Sequence, residues 1–218
     1  MAISKFNYNS FNVTPVASKA LAFNSDADGF TTASSSSMIL IKTLTASSSA
    51  TLSFVDGADS VVLDDTYPIY KFEFINCHPA TDNVNFQVNF RDGGSSYDAT
   101  KTSTAFYAHE GESSDSGFGY NSSVDVAQAT GVQPLLGGLG NGNDESTSGE
   151  LWLFNPSSTT FVKHYMVTSQ YYNRNNYSQI YYVAGYCNVT AAIDGVQFSM
   201  SSGNIDSGKI KLYGIADS

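Results

Sequence analysis

The chain has 218 residues, which is enough for one domain with a substantial core. Its formal net charge of −10 leaves no basic footprint for DNA or RNA, and it disfavours binding to an anionic membrane. Only 14% of the residues are charged, and such a Ser-, Thr-, Asn- and Gly-rich composition is common in secreted proteins, β-rich adhesins and virion proteins.

The first residues contain no apolar stretch of the kind found in a signal peptide, and no run of about 18 apolar residues predicts a transmembrane helix. We therefore expect the protein to be made in a cytoplasm and to stay out of membranes. Cys77 and Cys187 both lie in apolar, strand-like sequence, which favours buried free thiols, although a disulfide between them stays open.

Residues 1–37 differ from the rest of the chain. Their apolar positions follow no sustained period, and the segment ends in four consecutive serines. We predict an irregular N-terminal arm that attaches the protein to a neighbouring chain. A lid over the protein's own domain is an equal alternative.

One stretch of this arm, Asn-Ser-Asp-Ala-Asp-Gly at residues 24–29, resembles the start of a calcium-binding loop. Asn24, Asp26 and Asp28 place side-chain oxygens at alternate positions, and a glycine follows where an EF-hand loop turns sharply. The twelfth position is serine instead of glutamate. We therefore favour a polar turn and keep these three residues as calcium candidates.

From residue 38 onward, apolar residues recur with a period of two. In the segment 69–75, for example, Tyr70, Phe72 and Phe74 alternate with Lys71 and Glu73. Short strands rich in aromatic and β-branched residues, separated by polar turns, predict an all-β domain over residues 38–218. We predict an antiparallel β-sandwich that is jelly-roll-like.

The segment VNFQVNF at residues 84–90 alternates apolar residues with neutral amides. The apolar residues are predicted to face the core: Val84, Phe86, Val88 and Phe90. The amides form a row on the opposite face: Asn85, Gln87 and Asn89. This row predicts a contact between subunits, or else a solvated surface of a chain that carries few charges.

The segment Leu-Trp-Leu-Phe at residues 151–154 is apolar on both faces. One face can fill the core, so the other needs cover from a neighbouring chain or from loops of the same chain. We predict that Trp152 and Phe154 belong to a subunit interface.

A stretch rich in Tyr, Asn and Ser, at residues 169–178, has the composition of an antibody paratope. It predicts a contact loop for a glycan or a protein, and the alternative is a hairpin whose tyrosines cover its own strands. The predicted contact residues are Tyr171, Tyr172, Asn173, Arg174, Asn175 and Tyr177.

No catalytic constellation is visible. None of the three histidines lies in a nucleophile motif, and Gly-x-Ser-x-Gly is absent. Glu73 and Glu150 are the only glutamates in predicted strands, and the sequence does not bring them together as a glycosidase requires. We predict a protein that is not an enzyme and that has no cofactor and no transition-metal site.

Three blocks carry a resemblance to a known family: FINCHPATD at residues 74–82, GELWLFNPSSTTFVK at residues 149–163 and SSGNIDSGKIKLYGI at residues 201–215. The chain resembles structural proteins of marine tailed bacteriophages, including phages of cyanobacteria and of abundant ocean heterotrophs. The resemblance covers about residues 38–215. It implies a component of the virion, assembled in the host cytoplasm, and it carries over no catalytic residues.

We therefore expect a non-enzymatic virion protein that decorates the capsid or forms part of a tail or head appendage. Its expected partners are copies of itself, with a trimer favoured, and other virion proteins. One alternative is a tail-fibre or spike protein that binds a host surface glycan. A polysaccharide-degrading enzyme on the same fold is a further alternative.

Overall fold

A computed structural model describes residues 14, 20–24, 26, 28–33 and 37–217 of the chain. These residues form fourteen β-strands and no helix, so they include no helix that could cross a membrane. The strands are β1 (Ala20–Phe23), β2 (Phe30–Ala33), β3 (Met38–Thr45), β4 (Thr51–Val55), β5 (Ile69–Pro79), β6 (Phe86–Arg91), β7 (Lys101–Gly111), β8 (Ser116–Tyr120), β9 (Gln133–Pro134), β10 (Thr147–Phe154), β11 (Lys163–Asn173), β12 (Tyr177–Cys187), β13 (Gly195–Met200) and β14 (Ile205–Ile215).

The strands of residues 38–217 form two antiparallel sheets. The large sheet has the order β3-β14-β5-β10-β11-β12-β7-β8, and the small sheet has the order β4-β13-β6-β9. When the pairs β7–β8 and β11–β12 are set aside, eight strands remain in chain order: β3, β4, β5, β6, β9, β10, β13 and β14. Each of them except β9 lies in the sheet opposite the strand before it. The first, eighth, third and sixth of them form one sheet, and the second, seventh, fourth and fifth form the other, which is the order of a jelly roll. The predicted antiparallel, jelly-roll-like sandwich is confirmed.

The two inserted pairs widen one sheet only. β11, β12, β7 and β8 continue the large sheet beyond β10, and the registers of β11 with β12 and of β12 with β7 each run without interruption over eleven residue pairs. The large sheet is therefore twice as wide as the small one, and its extension presents a broad outer face.

Aromatic side chains from both sheets fill the core. The ring of Phe198 on β13 stacks on Phe86 of β6 with centroids 5.7 Å apart, and Phe54 of β4 meets Phe72 of β5 edge-on at 5.2 Å. Each such pair contributes about 0.5–1.5 kcal/mol beyond the burial of its area. Phe72 is fully buried, as its alternation with lysine and glutamate predicts.

The segment 84–90 follows its predicted alternation at the apolar positions, which are all buried. The amide row differs from the prediction at Asn89. This side chain is buried, and its nitrogen donates to the carbonyl oxygens of Tyr97 and Thr130, so it holds loops of its own chain. Gln87 donates to Ser199 Oγ on the adjacent strand at 3.0 Å. A subunit contact through Asn85 and Gln87 stays a prediction, whereas Asn89 is not available for one.

Two buried lysines flank Cys187 in the large sheet, because Lys163 and Lys101 lie opposite it on β11 and β7. The Lys163 ammonium has three N–H donors and lies within hydrogen-bond distance of four backbone carbonyl oxygens: Ser158 at 3.0 Å, Val189 at 2.9 Å, Phe161 at 3.3 Å, and Ala191. The Lys101 ammonium donates to Gly131 at 2.5 Å and to Thr130 at 3.4 Å. Each lysine therefore binds irregular backbone to the core.

Burial shifts the ionisation of these groups. Desolvation lowers the pKa of both lysines, that of Lys101 to about 8. Desolvation likewise raises the pKa of the Cys187 thiol to about 12, although the two lysines oppose that shift. Cys77 has the same raised value, and both cysteines are free and buried, as the sequence favoured.

The described part of residues 1–37 contains a hairpin, although this segment was predicted to be irregular. β1 pairs with β2 in antiparallel register, and the rings of Phe23 and Phe30 stack with centroids 5.1 Å apart. Whether the segment attaches the protein to a neighbour stays a prediction.

Candidate functional site

The outer face of the large sheet carries apolar side chains where a solvated sheet would carry polar ones. Leu151 and Leu153 of β10 are fully buried, so the alternation turns Trp152 and Phe154 outward. The prediction that one face of this segment fills the core is confirmed. The subunit contact predicted for Trp152 and Phe154 stays a prediction, and both side chains lie on the outer face.

Neighbouring strands extend this apolar face. Trp152 lies opposite Met166 of β11, which lies opposite Ala184 of β12. One row along, Tyr182 of β12 lies opposite Phe106 of β7, and their rings stack with centroids 5.0 Å apart. Cross-strand aromatic pairs of this kind stabilise a sheet, but here they also leave apolar area in contact with water.

These side chains enclose a shallow groove of about 340 Å³, which we call the aromatic groove. The groove lies where the outward side chains are small, at Ala184 and Thr168, between larger aromatic neighbours. Its outward-facing lining residues are Phe106, Glu150, Trp152, Phe154, Met166, Thr168, Tyr182 and Ala184. Met166 is 55% exposed and Tyr182 is 42% exposed, so the groove is open to solvent.

Phe118 stands beside the aromatic groove as a protruding side chain. It is 75% exposed, and its ring centroid lies 5.8 Å from that of Phe106. The sequence Ser-Gly-Phe-Gly-Tyr of β8 explains its direction, because the glycines face inward against aromatic rings of β7. A Cβ atom on Gly117 would lie 2.5 Å from His109 Cε1, so a larger residue there would displace the His109 ring. Phe118 lies between the two glycines in sequence and therefore faces the opposite, outer side.

The charges near the groove are paired. Lys71 Nζ lies 2.7 Å from Glu150 Oε2 and 5.3 Å from the centroid of the Trp152 ring. Glu73, directly opposite Glu150, accepts a hydrogen bond from the Tyr213 hydroxyl at 3.2 Å, and Lys211 Nζ lies 4.0 Å away. The outer face therefore carries little net charge within an acidic chain.

The two strand glutamates are thus neighbours, which the sequence did not reveal. Partial burial alone would raise the pKa of the Glu150 carboxyl, but its hydrogen bonds with Lys71 and Trp152 outweigh this effect and lower it. A glycosidase needs one carboxyl group whose pKa is raised, so that it can act as an acid. Glu150 has the opposite shift, and the absence of enzymatic activity stays a prediction.

The predicted contact loop proves to be mostly strand, and two of its residues are corrected. Tyr171 and Asn173 are buried because they continue the inward positions of β11. The Tyr171 hydroxyl donates to Gln179 Oε1 at 2.8 Å, and Asn173 Nδ2 donates to the same oxygen at 3.1 Å. These side chains form a polar network inside the protein and cannot contact a ligand.

The tyrosines at the tip of the β11–β12 hairpin bind the loop between β7 and β8. The Tyr172 hydroxyl donates to Glu112 Oε1 at 3.1 Å, and the Tyr177 hydroxyl donates to Asp115 Oδ2 at 2.9 Å. This arrangement matches the alternative in which the tyrosines cover their own chain. Arg174 and Asn175 are exposed at the turn, and a contact through them stays a prediction.

The calcium candidates form a turn. Asn24 Oδ1 accepts hydrogen bonds from the backbone nitrogens of Asp28 at 3.2 Å and Gly29 at 3.3 Å, and Asn24 Nδ2 donates to Asp28 Oδ1 at 2.9 Å. This is the polar turn that the sequence favoured, and Asp26 lies within it. The described ranges contain no group of three His, Cys, Asp or Glu side chains that could hold a metal ion.

No family model, curated protein or solved structure matches this chain. The resemblance to phage structural proteins therefore stays a prediction from the three sequence blocks.

The outer face of the large sheet includes three apolar residues that sequence reasoning did not identify as a site: Phe106, Phe118 and Met166. The signal for Phe106 and Met166 was present, because each alternates with a core residue and so had to face outward. Phe118 lies in the Gly-rich segment Ser-Gly-Phe-Gly-Tyr, whose composition does not favour a strand.

Proposed function

We propose that the chain is a non-enzymatic structural protein of a bacteriophage particle, which decorates the capsid or forms part of a tail or head appendage. The observation that carries this proposal is the aromatic face of the large sheet, which carries little net charge and exposes Phe118, Met166 and Tyr182. Large contiguous apolar patches on a protein surface mark sites of interaction with other molecules. The three sequence blocks that resemble phage structural proteins support the same role.

The chemistry of the described surface is in keeping with assembly. The pair of glutamates that comes closest to a catalytic arrangement is neutralised by lysines, and the pKa of Glu150 is lowered. Apolar and aromatic residues dominate the groove instead, as they do at the centres of protein interfaces. We expect the partners to be copies of this chain and other particle proteins.

The experiment is to measure the copy number of the protein in purified particles by quantitative mass spectrometry. Because particle components follow the symmetry of their position, hundreds of copies would indicate capsid decoration and about six to eighteen copies a tail structure. A protein that is produced during infection but is missing from purified particles would overturn the proposal.

Recognition of a host surface glycan is the second candidate function. It is favoured by Arg174 and Asn175, which are exposed together at the β11–β12 turn beside Tyr172. A glycan array would test it, with Tyr172→Ala and Arg174→Ala as variants. Binding that ignores both substitutions would remove this turn as the site.

A further inference from the structure

We propose that two copies of this chain associate face to face through the outer surface of the large sheet. In this contact the Phe118 side chain of each copy enters the aromatic groove of the other. The inference deepens the structural role proposed above and rests on it for its biological purpose. The dimer itself can be tested without a particle.

The composition of the face matches the centre of a protein interface. Such centres are enriched in Trp, Tyr, Phe and Met and are depleted of charged residues. The aromatic groove contains Trp152, Met166 and Tyr182, and its single charged residue, Glu150, is paired with Lys71. Apolar side chains that are half exposed here would lose contact with water when a second copy covers them.

The size of the face suits a dimer. Five strands from β10 to β8, spaced about 4.8 Å apart with about 3.3 Å per residue over seven residues, give a flat area of about 450 Å². Protruding rings increase the accessible area above that figure. A stable interface of standard size takes about 800 Å² from each partner, so this face would supply its apolar centre. The paired charges around Glu73 and Lys211 and the polar Gln170 would form the rim.

Charge also favours a second copy as the occupant. The chain has a net charge of −10, so most pairs of surfaces would bring like charges together. On this face Glu150 and Glu73 have the lysine neighbours Lys71 and Lys211. Glu110 of β7 is a further exposed glutamate, at the edge of the face near β8. Two copies can therefore meet here with little of the repulsion that opposes their approach elsewhere.

The positions of Phe118, which we call the knob, and of the aromatic groove determine the symmetry of the contact. Phe118 and the aromatic groove lie on the same sheet face and so point in the same direction. A copy turned by a two-fold axis in the plane of the contact places its Phe118 over the first groove and its groove over the first Phe118. A three-fold ring would need knob and groove on surfaces that face different ways. This contact therefore yields a dimer, in contrast to the trimer expected from the sequence.

A glycan fits the groove less well. Sugar hydroxyls need hydrogen-bonding partners, and the outward lining offers only a few: the hydroxyls of Thr168 and Tyr182. The Glu150 carboxylate is already bound by Lys71. A protruding aromatic ring needs only apolar walls, and Phe118 of a second copy provides one.

The test is the mass of the full chain in solution, measured by light scattering and by sedimentation equilibrium over a range of concentrations. The wild type should approach twice the single-chain mass of 23.3 kDa. Phe118→Lys and Met166→Glu should each weaken association at least about 30-fold, because truncations at interface centres have effects of this size. Phe161→Lys is the matched control, since Phe161 is 70% exposed in the loop before β11.

Mixing the two variants gives a sharper result. Each knob meets the partner's groove, so a mixed dimer pairs the new lysine with the new glutamate at one contact and keeps wild-type residues at the other. The mixture should therefore regain most of the association that each variant loses alone. Both side chains are exposed, so the melting temperatures should stay close to that of the wild type.

Three results would overturn the inference: a wild type that stays single at high concentration, a trimer, or a dimer that ignores both substitutions. Oligosaccharide binding that Met166→Glu abolishes in a single chain would also overturn it. A protein that is monomeric in solution but is found in particles would refute the dimer alone. A dimer missing from particles would refute the proposed function alone.

Discussion

Glu150 lies directly opposite Glu73 across the β5–β10 pair, and Lys71 binds Glu150 with its ammonium 2.7 Å from the carboxylate. Two facing carboxylates repel each other, and the lysine offsets that repulsion. The pair shows how a potentially reactive arrangement becomes a neutral part of the outer face.

Replacing Lys71 should therefore expose the repulsion. We expect Lys71→Met to lower the free energy of unfolding at pH 7 by about 0.5–1 kcal/mol, a modest effect because solvent screens the partly exposed Glu150. The folded-state pKa of Glu150 is lowered, so its contribution is present above the unfolded-state pKa and is lost as the pH falls through the folded value. Urea unfolding at pH 7 and near pH 3 should show the difference shrinking. Lys209→Met, which removes an exposed lysine, is the control, and an equal loss there would contradict the prediction.

Lys101 should also make stability rise with pH, but in an alkaline range. Its folded-state pKa is lowered to about 8, so between that value and the unfolded-state value near 10.5 the unfolded chain binds more protons. Stability from this group therefore rises with pH. The wild type should gain about 1 kcal/mol relative to Lys101→Met between pH 8 and pH 9. Measuring the difference between the two proteins cancels the ionisation of cysteines and tyrosines. A difference that does not change with pH would refute the assignment.

The aromatic cluster between the sheets should dominate the stability of the sandwich. Phe198 is fully buried and contacts Phe54, Phe72 and Phe86 from both sheets. We expect Phe198→Ala to cost about 3–5 kcal/mol in the free energy of unfolding. The exposed Phe161→Ala should change it by less than about 0.5 kcal/mol. Chemical denaturation of both variants provides the comparison, and similar costs would argue against this core.

Two neighbouring tyrosines should respond differently to the loss of a hydroxyl. Tyr171→Phe removes a buried donor that the Gly137 carbonyl and Gln179 Oε1 share, and Gln179 Oε1 keeps only its hydrogen bond from Asn173. This loss should cost about 1–3 kcal/mol. Tyr172→Phe removes a hydroxyl at the solvent-exposed side of the hairpin and should cost less than about 0.5 kcal/mol. Thermal and urea unfolding measure both. Equal effects would mean that Tyr171 is not part of a buried network.

Periodicity alone was sufficient for the parts of the fold where a strand alternates strictly. It placed Phe72 and Phe86 in the core, and it required one face of the segment 151–154 to be buried. It would also have placed Tyr171 inside, because Tyr171 shares its parity with Val167 on one continuous strand. The error came from treating a Tyr- and Asn-rich stretch as a loop.

Other features depend on contacts distant in sequence. Asn89 has an outward parity and is nevertheless buried, because loops containing Tyr97 and Thr130 lie over it. Glu73 and Glu150 are neighbours only because β5 pairs with β10, and no local pattern determines that pairing. The aromatic groove likewise requires knowledge of which strands lie side by side.

The ammonium groups of Lys163 and Lys101 bind backbone carbonyl oxygens, four for Lys163 and two for Lys101, and carbonyl oxygens are also ligands of bound metal ions. A cation tethered by its own side chain cannot diffuse away, and its local concentration does not depend on the medium. Loops anchored in this way should keep their conformation in dilute buffer and in the presence of chelators. They should loosen as the pH rises through the lowered pKa of the lysine, which is about 8 for Lys101, because the proton that makes the lysine a cation is then removed.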